Sequence, residues 1–258
     1  MFKQNTGLIL FFWLVLIFTV QAEELPDNEK DFKALIVSWE GRNKLLKRLQ
    51  QKEVNDQLSW LQSVWTEGRT PLHFLAQQSR YNTFIGRLLD HVSNVLPYNL
   101  YNIVNAQDDY GNTPLMLAVQ SIEVYTTAFV LLDYDASPDI ANNIGNTPLH
   151  IIASTSRSFS FGLIGHFYQM QSTCFNLVNQ AGMTPYRIAY SHNHRFICKS
   201  LAQHGASCDI SNINSTNGTT GEYTNTLIES HSTTKNKRQH IPFVEYFKTK
   251  IKQHLLSE

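Results

Sequence analysis

Gly68-Arg69-Thr70-Pro71-Leu72-His73, Gly111-Asn112-Thr113-Pro114-Leu115, Gly145-Asn146-Thr147-Pro148-Leu149-His150 and Gly182-Met183-Thr184-Pro185-Tyr186 are four statements of one frame. Their threonines stand 43, 34 and 37 residues apart. A frame recurring near a period of roughly 33 marks a chain of stacked supersecondary units. Each residue type in it has a mechanical task. Proline suits the first helical turn, where its missing N–H has no partner to lose. The threonine before it caps the helix by accepting a backbone N–H. The glycine two residues earlier supplies the backbone angles of a tight turn.

Working outward, every frame leads into a second apolar helix, at Phe84–Leu89, Phe129–Leu132, Phe161–Ile164 and Phe196–Leu201. The stretch Ser93–Asn102 carries the extra residues that break the period, and is expected as a loop insertion. Upstream, residues 31–65 read as a helix pair without Thr-Pro. Phe32, Leu35, Ile36 and Trp39 share one face, Leu45, Leu46 and Leu49 another, and Gly41 separates the two helices.

The ends differ in composition. Lys3 precedes the apolar run Leu8–Phe18, and Thr19-Val20-Gln21-Ala22 follows before Glu23. A basic start, a short apolar core and a small-residue site predict a secretory signal over 1–22, cleaved after Ala22. The run is shorter than the roughly 20 residues of a spanning helix. If it stays uncleaved, it makes the chain a membrane-anchored scaffold, the alternative reading. Residues 211–240 are rich in Ser, Thr, Asn and Gly and read as a disordered linker. Residues 241–258 read as an amphipathic helix with Val244, Phe247, Ile251 and Leu255 on one face. The expected layout is signal 1–22, degenerate first repeat or cap 23–64, repeat domain 65–210, linker 211–240 and terminal helix 241–258.

These residues resemble the ankyrin repeat family. The likeness is best over Val104–Ala118, and His204-Gly205-Ala206 looks like the family's usual end of a second helix. Glu40-Gly41-Arg42-Asn43 and Val54-Asn55 look like remnants of a first repeat. Met116 stands where the family has histidine, and Tyr186-Arg187 replaces Leu-His. The resemblance implies an all-α solenoid: antiparallel helix pairs stacked in a row, with β-hairpin fingers projecting to one side. It also implies a protein partner, bound by the fingers and the concave helix face. The residues flanking the turn glycines are then the candidate contacts: Glu67 and Arg69; Asp109, Tyr110 and Asn112; Asn143, Ile144 and Asn146; Gln180 and Met183. Tyr110 is the favoured anchor, because aromatic residues dominate binding hot spots. Concave positions are expected at Gln77, Gln78, Gln120, Ser121, Ser154, Thr155, Ser191 and His192.

Other chemistries find little support. Lys+Arg and Asp+Glu balance at 21 each, so no basic field argues for nucleic acid. His192, His194, Cys198, His204 and Cys208 suggest a zinc site at first sight. The repeat frame reassigns them, with His194 and His204 at the family's structural histidines and both cysteines at its apolar positions. Cys198 and Cys208 are placed at opposite ends of one helix, beyond disulfide reach. Cys174 approaches Cys208 only if its loop folds back, so three free thiols are expected. His73 and His150 are expected to tie neighbouring turns by hydrogen bonds. No phosphate loop or hydrolase motif is present. The expectation is a monomeric binding protein, not an enzyme, with no metal and no cofactor.

Overall fold

Each Thr-Pro pair starts a short helix. In the computed structural model, which describes residues 24–121, 126–155 and 160–208, Thr70, Thr113, Thr147 and Thr184 are the N-caps of four helices that open on proline. The expected signal, linker and terminal helix lie outside the described residues.

The helices run in chain order. α1 (Glu29–Ile36), α2 (Trp39–Gln51) and α3 (Val54–Leu61) precede the first finger. α4 (Pro71–Ala76) and α5 (Asn82–Val95) form the first Thr-Pro pair, and α6 (Leu100–Val104) follows them. The later pairs are α7 (Pro114–Gln120) with α8 (Thr126–Asp133), α9 (Pro148–Ser154) with α10 (Ser160–Gln169), and α11 (Pro185–Ser191) with α12 (Arg195–Gln203). The inner helices α4, α7, α9 and α11 stack in one row. Each also packs against its own outer helix in the first, second and fourth pairs, and α5 meets α8 as α10 meets α12. This is the ankyrin-type helical solenoid, and one apolar core runs along it from Leu25 to Ala206.

Pattern explains the stacking. Six-residue α4 is buried at every position, and so are the first six positions of α7 and α9. Such helices are too short to persist in water by themselves. Their stability comes from apolar neighbours on both sides, which only a stack supplies.

Four expectations are corrected. First, among the described residues none lies in a β-strand, so the fingers are turns and not extended hairpins. Each is closed by two backbone bonds: the turn glycine's N–H donates to the carbonyl three residues back, and that residue's N–H donates forward, Trp65 to the Arg69 carbonyl, Asp108 to Asn112, Asn142 to Asn146 and Asn179 to Met183. Proline two residues past each closing carbonyl has no N–H to extend a ladder. Second, the insertion is not a loop. It lengthens α5 to Val95 and adds α6, and Leu96, Ile103 and Val104 are buried. Third, Gly41 lies buried inside α2, where Leu35's carbonyl leaves no room for a Cβ, and Val37-Ser38 make the break instead. Fourth, Trp39 opens α2 and is 71% exposed, off the face of Phe32 and Ile36.

Candidate functional site

The finger edge is where the candidate residues gather. At the base of fingers two to four a side-chain oxygen holds the turn. Asp108 Oδ1 accepts from Tyr110 N–H at 3.0 Å and Asn112 N–H at 2.7 Å. Asn142 does the same for Ile144 and Asn146, and Asn179 for Ala181 and Met183. These are short polar side chains imitating a backbone turn. The first finger has Trp65 at this position, and there Glu67 takes up positive φ.

Neighbouring fingers are then tied together. Asp109 N–H donates to Glu67 carbonyl, Asn143 N–H to Tyr110 carbonyl and Gln180 N–H to Ile144 carbonyl, each at 3.0 Å. Side-chain amides run the same way. Asn142 Nδ2 donates to Asn112 Oδ1 at 2.9 Å, and Asn179 Nδ2 to Asn146 Oδ1 at 2.8 Å. Asn143 Nδ2 donates to the Asp109 carbonyl and Gln180 Nε2 to the Asn143 carbonyl. Sequence reasoning missed this ladder. Its signal was the Asp or Asn three residues before Gly111, Gly145 and Gly182.

Histidines add a second tie. Thr70 N–H donates to His73 Nδ1 at 3.1 Å, so Nε2 carries the proton and donates to the Asn112 carbonyl at 3.0 Å. His150 repeats this with Thr147 and the Met183 carbonyl. Burial holds both imidazoles below their ordinary range, and burial does the same to His91 and His166. A depressed folded pKa means the stability contribution is complete above the unfolded value near 6.5 and is lost as pH falls below it. The thermal midpoint is therefore expected to drop as pH falls below about 6.5. A His73→Gln/His150→Gln variant should be less stable at pH 7 but show a shallower acid slope. Calorimetry across pH checks this, and an unchanged slope would remove these histidines from the account.

The ladder sorts the ten candidate residues. Glu67, Asp109, Tyr110, Asn143, Ile144 and Gln180 are exposed, while Arg69, Asn112, Asn146 and Met183 are half-buried. Asn112 and Asn146 are taken up between fingers, and Met183 packs on the core. Arg69 Nη2 pairs with Glu67 at 2.9 Å, while its Nε faces the buried Asp108 carboxylate at 3.8 Å. Tyr110 and Ile144, at 54% and 56% exposure, are large apolar tips on consecutive fingers. Gln77, Gln120, Ser154 and Ser191 lie at the other end of the inner helices, which at seven residues or fewer are about 10 Å long. Fingers and these polar ends thus flank one row of helices.

The His/Cys group is divided among separate tasks. His194 Nδ1 bonds the Ala153 carbonyl at 2.9 Å, and His204 Nδ1 bonds Ser200 of its own helix at 2.7 Å. Among the described residues no group of three or more His, Cys, Asp or Glu is placed to hold a metal. All three cysteines are free. Burial pushes the Cys174 thiol up to about 12 and the Cys198 thiol up to about 11. Cys208 is exposed although it stands at one of the family's apolar positions, because the chain turns at Gly205 (φ 86°) and leaves it past the end of the core.

Two comparisons bear on this architecture. A family model described as ankyrin repeats (3 copies) matches residues 34–142, taking in α2 and α3 ahead of the first Thr-Pro frame. Over 186 residues the chain is 25% identical to the human transient receptor potential cation channel subfamily A member 1. That match covers 71% of this chain but only 15% of the channel's length.

Proposed function

We propose, taking the ankyrin-repeat stack as premise, that this chain is an exported, non-enzymatic protein that binds a partner protein through its fingers and the adjoining concave helix face. Ankyrin repeats generally mediate protein–protein interaction, which supports the binding part of this reading. The observation that carries it is the pair Tyr110 and Ile144. Both are exposed apolar side chains, and their fingers are locked together by the Asn143 N–H to Tyr110 carbonyl bond. A rigid row of that kind loses little freedom on binding.

Export rests on the sequence alone, on the basic Lys3, the apolar Leu8–Phe18 and the Ala22 site. The mature chain then works in a periplasm or outside the cell, including delivery toward a host. Residues 65–210 are the binding domain in this reading, with 23–64 as a cap. The likeness to a cation channel spans only 15% of that protein's length and supports no channel activity for this chain.

One preparation tests both parts. Protein recovered from the exporting cell should begin at Glu23, and should retain a partner protein on affinity capture. Tyr110→Ala/Ile144→Ala should weaken that complex by about 30-fold, equivalent to two hot-spot kcal/mol, at an unchanged melting temperature. Capture of the same protein by both forms would defeat the finger reading. An intact Met1 in the membrane fraction would give the anchored scaffold instead.

A further inference from the structure

The four fingers differ in how their charge is met. Aligned on the turn glycine they read Thr66-Glu67-Gly68-Arg69, Asp109-Tyr110-Gly111-Asn112, Asn143-Ile144-Gly145-Asn146 and Gln180-Ala181-Gly182-Met183. In the first, the acid and its cation come from the same turn, since Arg69 pairs with Glu67. Arg69 also lies 6.0 Å from the centre of the Phe74 ring and faces Asp108. Nearby Glu29 is answered by Lys33 in the same way, and Lys33 Nζ sits 4.8 Å over the Phe74 ring. The molecule thus satisfies its cations twice with a carboxylate and an aromatic face together.

The second finger has the carboxylate and the ring but no cation. Asn112 occupies the place of Arg69, and its oxygen is spent on Asn142. Among the described residues no Lys, Arg or His lies within ion-pairing distance of Asp109, which is exposed at the tip beside the exposed Tyr110. Fingers three and four carry no ionisable residue between their turn-holding asparagine and their threonine. The edge therefore runs from an acidic first half to an apolar and amide second half, with Ile144 as its aliphatic tip.

We propose that the second finger takes a Lys or Arg side chain of the partner, and that Ile144 takes an apolar side chain of the same segment. The inference rests on the finger reading above and names the partner's chemistry. The cation pairs with Asp109 and lies against the Tyr110 ring, an arrangement in which the ring's negative face and the carboxylate attract the same charge. Asp109's position is set by its own backbone, whose N–H and carbonyl bond Glu67 and Asn143. Its carboxylate lies against Gly68 of the first finger, where a Cβ would meet it, and it stays solvent-exposed without bonding its own turn.

Selection of a random-peptide phage library on the full chain tests the proposal. Enriched sequences should place Lys or Arg next to aliphatic or aromatic residues. A synthetic peptide of the leading sequence should bind Asp109→Asn three- to tenfold more weakly than wild type, and added salt should weaken wild type more than the variant. If no cationic sequence is enriched, or Asp109→Asn binds as wild type does, the cation inference is overturned. Peptides that lack Lys and Arg but still lose binding on Tyr110→Ala/Ile144→Ala would leave the finger reading standing. Peptides indifferent to both variants would end both.

Discussion

Replacing Gly145 by Ala should destabilise the stack by about 2–5 kcal/mol, whereas the same change at Gly182 should cost about 1–2 kcal/mol. Both glycines sit in left-handed backbone, at φ 78° and 68°, so both variants bear the steric strain of an L-residue there. They differ in what a new methyl group meets. At Gly145 it would stand 2.9 Å from Asn179 Cα and 2.9 Å from Gln180 N, both backbone atoms of the next finger. At Gly182, with no described finger beyond it, nothing lies within 4 Å. Moving backbone at Gly145 also disturbs the Gln180 N–H bond to Ile144 and the Asn179–Asn146 amide pair. Urea midpoints of the two variants give the comparison. Equal losses would show that close approach between fingers contributes nothing beyond the turn angle.

The other large effect concerns the junction ahead of the first Thr-Pro frame. Phe32→Ala should cost about 3–5 kcal/mol, the usual penalty for emptying a fully buried aromatic site. Phe32 is 0% exposed, with Trp60 and Trp65 ring centres 6.0 and 5.1 Å away. Trp65 continues to Phe74 on α4 at 5.7 Å, so the aromatic chain joins α1–α3 to the first inner helix. Trp60 Nε1–H is anchored on the Pro26 carbonyl at 3.0 Å. Because a stacked array couples mainly nearest neighbours, the loss should be local. Tryptophan emission should shift to the red and amides of α1–α3 should exchange early, while α9–α12 keep their protection. A uniform loss of protection along the whole chain would contradict that picture.

Some of this was legible in residues and some was not, and the division is physical. The four inner-helix starts were readable because cap, proline and turn glycine act over two or three residues. The helix ends were readable only at His204-Gly205-Ala206. Asp135 and Gln171 take the same left-handed angle as Gly205, and Ala136, Ser172 and Ala206 bond back to Leu131, Phe167 and Leu201 alike. Neither Asp135 nor Gln171 advertises that angle, which the surrounding packing imposes. The insertion misled for the opposite reason. Pro97-Tyr98-Asn99 reads as loop, yet Leu96, Ile103 and Val104 find a buried surface that pulls the chain into α6. At the candidate site the flanking positions were readable, but their commitments were not. Asn112, Asn146 and Arg69 look like free polar tips until the neighbouring finger is placed beside them.

What the sequence determined by itself was therefore the repeat: where each unit begins, where its first helix starts, and which positions surround each turn. Those depend on backbone preferences and apolar period, which are local. Tertiary structure alone decided which of those positions remain available. That depends on partners 30 or more residues away, such as Asn142 for Asn112 and Asp108 for Arg69. Stacking spends the amides on the neighbouring finger and leaves Asp109, Tyr110 and Ile144 facing outward.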